Sequence, residues 1–351
     1  MSPTPTDPPP GTPPGQGPPA DPAGPAPLRL GTRRSQLAMA QSGQVAEQVT
    51  RLTGRPVELV EITTYGDVSR EQLAQIGGTG VFVSALREAL LAGEIDLAVH
   101  SLKDLPTAQP AELTIAAVPP REDVRDALVA RDGLGFEQLA ARGTPRAPVR
   151  VGTGSPRRMA QLHAWARALG AHVEAVPIRG NVGTRIGFVR SGELDAVVLA
   201  AAGLSRLGQL GEASELLNPD AVLPAPGQGA LAVECATSSA HLATALGGLD
   251  DPRTRAAVTA ERTLLAALEA GCSAPVGALA DVTGDGRDLT EMRLRGVVGT
   301  LDGTTLVQLS ATGPVPASAA EQLTWAERLG RELADAMLAK GAAGLMGERA
   351  H

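Results

Sequence analysis

Lysine and aspartate stand side by side at positions 103 and 104, inside the stretch LAVHSLKDLP (97–106). An apolar run at 95–99 reads as a buried strand that breaks into this loop, which also carries His100 and Ser101. Open α/β sheets place their chemistry at such strand ends. Of 31 basic residues in the chain, only Lys103 and Lys340 are lysines. Arginines supply the rest, and they recur beside Gly or Ser after apolar runs. LGTRRSQLA (30–38) carries Arg33, Arg34 and Ser35, and VGTGSPRR (151–158) carries Ser155, Arg157 and Arg158. IRGNVGTR (178–185) carries Arg179, Gly180 and Arg185, and AAGLSRLG (201–208) carries Arg206.

Guanidinium forks match carboxylate and phosphate groups, and the free N–H groups of a helix start favour an anion. Two arginines in the first turn of a helix oppose its dipole, a conflict that a bound anion would resolve. The sequence has no GxxxxGK[ST] loop and no GxGxxG following a strand, which argues against a nucleotide. Three Phe, one Tyr and two Trp cannot build a base-stacking platform. A small ligand with several carboxylates fits these residues better.

Cys272 lies in LEAGCSAPVG (268–277), just past a helical pattern. An exposed turn favours a reactive thiol, while the negative end of a helix opposes the thiolate. Cys235, in ALAVEC (230–235), reads as a buried structural residue. Two cysteines exclude a disulfide framework, and with five histidines they form no closely spaced metal site. This usage suits a reducing cytoplasm.

Candidate strands fall at 28–32, 57–63, 95–99, 113–118, 149–153, 172–178 and 195–200, with helical patterns at 35–52, 82–93, 156–169 and 182–191 between them. The alternation predicts βαβ units around mostly parallel sheets. Period-two patterning over 280–313, around the turn 301–304, predicts an antiparallel hairpin. Helices at 252–269 and 318–340 flank it, the first capped by Asp251 with Pro252 behind it and closed by Gly271. Residues 1–27 hold 12 of the 28 prolines, lack Lys and Arg, and read as a disordered tail and not as a secretory signal. No apolar run is long enough to span a bilayer, and a net charge of −7 opposes general nucleic-acid binding.

Taken together, these motifs resemble the hydroxymethylbilane synthase, or porphobilinogen deaminase, family. The likeness runs from about residue 28 to 341 and includes GGTGVF (77–82), REDVRDA (121–127) and LPAPGQGALAVE (223–234) besides the stretches quoted above. The resemblance implies two α/β domains built like periplasmic binding proteins around a cleft, plus a smaller C-terminal α+β domain. Its expected limits are 28–120 with 225–248, then 121–224, then 249–351. It implies stepwise condensation of four porphobilinogen molecules with loss of ammonia, then hydrolysis to linear hydroxymethylbilane. A dipyrromethane cofactor in thioether linkage to Cys272 would prime the chain, and Asp104 would be the catalytic carboxylate. Lys103, Ser155, Arg157, Arg158, Arg179 and Gly180 would hold the cofactor. Arg33, Ser35, Arg179, Arg185 and Arg206 would hold substrate. A cytoplasmic monomer with no metal, membrane or nucleic-acid partner is expected. Three positions depart from the family pattern: Gln75 and Thr79 replace lysines common in bacterial relatives, and Gly154 replaces a serine. Weaker substrate gripping or altered lid closure is expected from the first two. The competing reading is a non-catalytic, periplasmic-type binding protein for a polycarboxylate anion.

Overall fold

The computed structural model describes residues 26–62, 80–270, 274–285 and 288–346. The first α/β unit contains β1 (Leu28–Thr32), α1 (Gln36–Thr53), β2 (Val57–Glu61), α2 (Gly80–Leu91), β3 (Leu97–Ser101) and β4 (Leu113–Ala117). The second runs through β5 (Asp126–Ala130), α3 (Phe136–Ala140), β6 (Val149–Thr153), α4 (Pro156–Ala168), β7 (Val173–Pro177), α5 (Val182–Arg190), β8 (Ala196–Ala200), α6 (Ala201–Arg206) and β9 (Glu215–Leu216). The chain then returns to the first sheet with β10 (Leu231–Ala236) and α7 (Ala240–Leu246). A third unit follows: α8 (Pro252–Ala267), β11 (Val276–Asp285), β12 (Asp288–Gly299), β13 (Leu306–Pro314) and α9 (Ala319–Ala339).

The two five-stranded sheets share one plan, β2-β1-β3-β10-β4 and β7-β6-β8-β5-β9. They are more mixed than the alternation predicts. β10 runs antiparallel to both neighbours, and β5 does the same in the second sheet. Strand direction leaves no mark on an apolar run, so patterning could not reveal it. The reversal has a consequence for the site. Leu231 pairs with Ser101 and Asp126 pairs with Ala200, so β10 and β5 begin at the edge where β3 and β8 end. Both segments that join the sheets therefore enter at the edge that carries the loops of interest.

Local sequence explains the helices beside that edge. Ser35 caps α1 by accepting from Ala38 N at 3.3 Å, and Gly54, in the left-handed region, closes it. Ser155 caps α4 by accepting from Arg158 N, with Pro156 in the first turn. Asp251 caps α8 through Thr254 N at 2.7 Å, as expected, but the helix stops at Ala267 and Glu269 takes the left-handed turn (φ 52°). Gly271, the expected closing residue, lies outside the described residues.

Each sheet packs its own apolar core. Leu30, Leu97 and Val233 meet Val45 and Val49 of α1 in the first, while Val151 and Val198 meet Leu162 of α4 in the second. The third unit is an antiparallel three-stranded sheet covered by α8 and α9, with Met292, Leu294, Leu264 and Met337 at its centre. The turn at 301–304 joins β12 to β13 as expected. Among the described residues no helix is long and apolar enough to cross a membrane.

Candidate active site

β3 ends at Ser101 and passes into a single 3-10 turn, Leu102–Asp104, that presents Lys103 and Asp104. Leu102 and Leu105 are buried on either side and anchor the turn. Arg262 of α8 fixes it from behind, donating to the carbonyls of Leu102, Leu105 and Pro106 at 3.1, 2.8 and 2.7 Å. Main-chain atoms of the turn accept those bonds, so they do not engage the Lys103 and Asp104 side chains. Asp104 is half-buried and accepts no hydrogen bond from any described residue. Burial pushes the Lys103 ammonium down to about 8, aided by Arg158 and Arg157 and opposed by Asp104 and Asp126.

Across the joint, Arg157 and Arg158 of α4 are not surface arginines awaiting a ligand. They are 3% and 5% exposed and grip the fully buried Asp126 at the start of β5. Arg157 Nη1 donates to Asp126 Oδ2 at 2.8 Å, and Arg158 Nη2 donates to Oδ1 at 2.7 Å. They also donate to the carbonyls of Leu223 and Val198. Burial alone would raise the Asp126 carboxyl, yet the two guanidinium groups hold it well below the usual carboxylate range. The anion that would resolve their conflict with the helix dipole is thus, in part, an internal one. The sequence carried it in REDVRDA, thirty-one positions before Arg157, where nothing local linked the two.

The pairing leaves donors over. The Nε–H groups of Arg157, Arg158 and Arg206 are buried with no hydrogen-bond partner among the described residues. Buried N–H groups without partners are rare, and guanidinium donors of this kind suit carboxylate groups. In this respect the residues present fit a dipyrromethane group.

The other expected residues ring the same edge. Arg185 donates through Nε to Gly180 O at 2.9 Å, and burial with nearby Arg158 lowers its pKa. Arg206 donates to Gly229 O at 2.7 Å, and burial lowers its pKa while Glu122 opposes. Gly180 takes φ 109°, a conformation that favours glycine, and a Cβ there would press on Thr184. Arg179 is exposed and makes no hydrogen bond or ion pair with any described residue. Arg33 is half-buried just past β1, and Ser35 is exposed as the cap of α1. Leu37 of α1 packs near Gly203 of α6, which brings the Ser35 end toward the helix bearing Arg206. A Cβ at Gly154 would lie 2.8 Å from Ile178 O, so these two loops approach as closely as glycine permits. Cys272, Gln75 and Thr79 lie outside the described residues. Cys235 is buried as expected, and burial together with Glu234 pushes its thiol pKa up.

Two hubs escaped the sequence reading. Glu261 of α8 is fully buried and accepts both guanidinium donors of Arg121 at 2.7 and 2.9 Å. It also accepts from Gly227 N and Ala280 N, so one carboxylate ties both inter-sheet segments to the third unit. Gln228 is the second hub. Its Nε2 donates to Val124 O at 2.8 Å and to Asp126 Oδ1 at 2.9 Å.

Residues 28–244 match the family model described as porphobilinogen deaminase, dipyromethane cofactor binding domain, and 255–339 match that for the porphobilinogen deaminase C-terminal domain. The chain belongs to the porphobilinogen deaminase family. It is 74% identical over 324 residues to porphobilinogen deaminase 1 of Streptomyces avermitilis, spanning 92% of this chain and 98% of that one. It is 54% identical over 317 residues to porphobilinogen deaminase of Thermobifida fusca, spanning 90% of this chain and 94% of the relative. The paired sheets with their two crossings are the architecture that the family resemblance led us to expect. The cofactor-binding match spans both sheets, β10 included.

Proposed function

We propose that this chain is a hydroxymethylbilane synthase that joins four porphobilinogen molecules head to tail, releases ammonia at each addition, and frees the linear tetrapyrrole by hydrolysis. The observation that carries this reading is the Lys103–Asp104 turn set against the Arg157–Arg158–Asp126 cluster in a chain of this family. The limits 28–120 with 225–248, 121–224 and 249–351 describe the three working units. A monomer acting in the cytoplasm, without metal or nucleic acid, completes the proposal.

A dipyrromethane group joined to Cys272 through a thioether would supply the electron-rich ring end to which substrate adds. Lys103, Arg157, Arg158 and Arg179 would hold its carboxylates, with Ser155 and Gly180 shaping the loops. Arg33, Ser35, Arg185 and Arg206 line the remaining edge for the acetate and propionate of incoming porphobilinogen. Charge-assisted bonds to such groups are shorter and stronger than neutral ones. Asp104 protonates the departing amine of porphobilinogen and then faces, as a carboxylate, the cation left on that substrate. That it accepts no hydrogen bond from any described residue supports this double duty.

The test is consumption of porphobilinogen with release of one ammonia per molecule and formation of a linear tetrapyrrole. Asp104→Ala should lower turnover by roughly a hundred-fold to ten-thousand-fold while melting like the parent. Near-normal turnover in that variant sinks the assigned role. Binding of porphobilinogen by the parent without any ammonia release would instead point to a binding protein.

A further inference from the structure

Gln228 is fully buried in the segment that returns the chain from the second sheet to the first. Both of its amide protons are spent, one on Val124 O and one on Asp126 Oδ1. The amide orientation is thereby fixed, and its Oε1 faces Lys103 Nζ at a long 3.5 Å. Gly227, one residue earlier, lies so close that a Cβ there would meet Leu102 and the Lys103 backbone. The first sheet's lysine and the second sheet's arginine–aspartate cluster are thus joined through one neutral side chain.

We propose that Gln228 is a positioning residue that registers Lys103 against Arg157 and Arg158, so that three cations from two sheets act as one carboxylate-binding set. Neutrality is the point of the residue type. A glutamate here would reach Lys103 equally well, but it would cancel the lysine's charge and crowd Asp126 with a second anion. An apolar residue would leave the Lys103 ammonium without its carbonyl partner and Asp126 without one of its donors. The amide transmits position and leaves the charge of Lys103 for a ligand.

The charged groups around Lys103 are Asp104 on its own turn, Asp126 on β5, and Arg157 and Arg158 on α4. Glu261 lies behind Gly227, with both oxygens taken by Arg121, Gly227 N and Ala280 N. The inference rests on the proposed function for the identity of the carboxylates, but not for the link between Gln228 and Lys103.

Because the chain has only two lysines, the link can be read without activity. Protein labelled with 13C at lysine Cε gives two side-chain signals by NMR, and Lys103→Arg assigns them. In Gln228→Glu the titration midpoint of Lys103 should rise by about one to three pH units, as expected for a new opposite charge within a few ångströms. In Gln228→Met, which keeps length but not polarity, the midpoint should fall, and KM for porphobilinogen should rise more than kcat falls. Melting curves identify a variant that fails to fold, and the other then decides. A Lys103 midpoint unchanged from the parent in a folded variant overturns the inference. Shifted midpoints in the variants, together with a parent protein that releases no ammonia, would refute the proposed function and leave this link standing.

Discussion

The two five-stranded sheets have the same strand order, yet they hold their functional loops in opposite ways. In the first, the Lys103–Asp104 turn is fixed through its backbone by Arg262 from the third unit. Among the described residues the Asp104 carboxylate accepts no hydrogen bond, and Lys103 donates to the neutral Gln228 Oε1 at 3.5 Å. In the second, Arg157 and Arg158 are fixed through their own guanidinium groups, by the internal carboxylate of Asp126. A group that must gain and lose a proton needs freedom at its tip. Groups that must present steady positive charge in a buried place need a counter-ion to be tolerated there at all. The first sheet thus supplies the group for proton handling and one cation beside it, and the second supplies the paired arginines.

That contrast can be broken most severely at Asp126. Asp126→Ala leaves two buried guanidinium groups uncompensated and should cost about 3–5 kcal/mol in denaturant unfolding. The pH dependence carries the same signature. The folded Asp126 carboxyl is held below its ordinary value, so its contribution is complete above about pH 4 and disappears as the pH falls further. Asp126→Ala should flatten that acid limb. Lys103 acts at the other end of the scale. With its pKa brought from 10.5 to about 8, folding binds fewer protons between those values, and stability gains as pH rises through that window. Lys103→Met should remove the alkaline gain.

Arginine substitutions sharpen the comparison. Arg179 is exposed and makes no hydrogen bond or ion pair with any described residue, so Arg179→Ala should cost binding of the carboxylate ligand about 1.5–3 kcal/mol and leave the melting temperature unchanged. Arg158→Ala should lower both, because the same side chain neutralises Asp126. Equal melting temperatures for the two variants would show that the second sheet does not depend on its internal pair. The smallest effects belong to the caps that the sheets share. Ser35→Ala and Ser155→Ala should each cost about 1 kcal/mol of stability, read from chemical denaturation.

Much of this was written plainly in the sequence. The elements follow from apolar periodicity. The loops followed from Gly and Ser beside Arg, and Lys103 and Asp104 stood out because lysine is so scarce. What stayed hidden was every pairing between distant segments. Asp126 is a strand residue whose partners lie across the sheet and on α4. Nothing in the residues around Gln228 and Glu261 marks them out, and only the crossing of the chain between sheets makes them hubs. The antiparallel sense of β5 and β10, which brings those residues to the active edge, has no periodic signal at all.

The intact mass of the purified chain, with and without Cys272→Ser, tests the account's central claim most directly. The account predicts that the parent carries the added mass of two linked pyrroles and that Cys272→Ser lacks it and makes no tetrapyrrole. An unmodified Cys272 thiol in protein that still turns over porphobilinogen would contradict it.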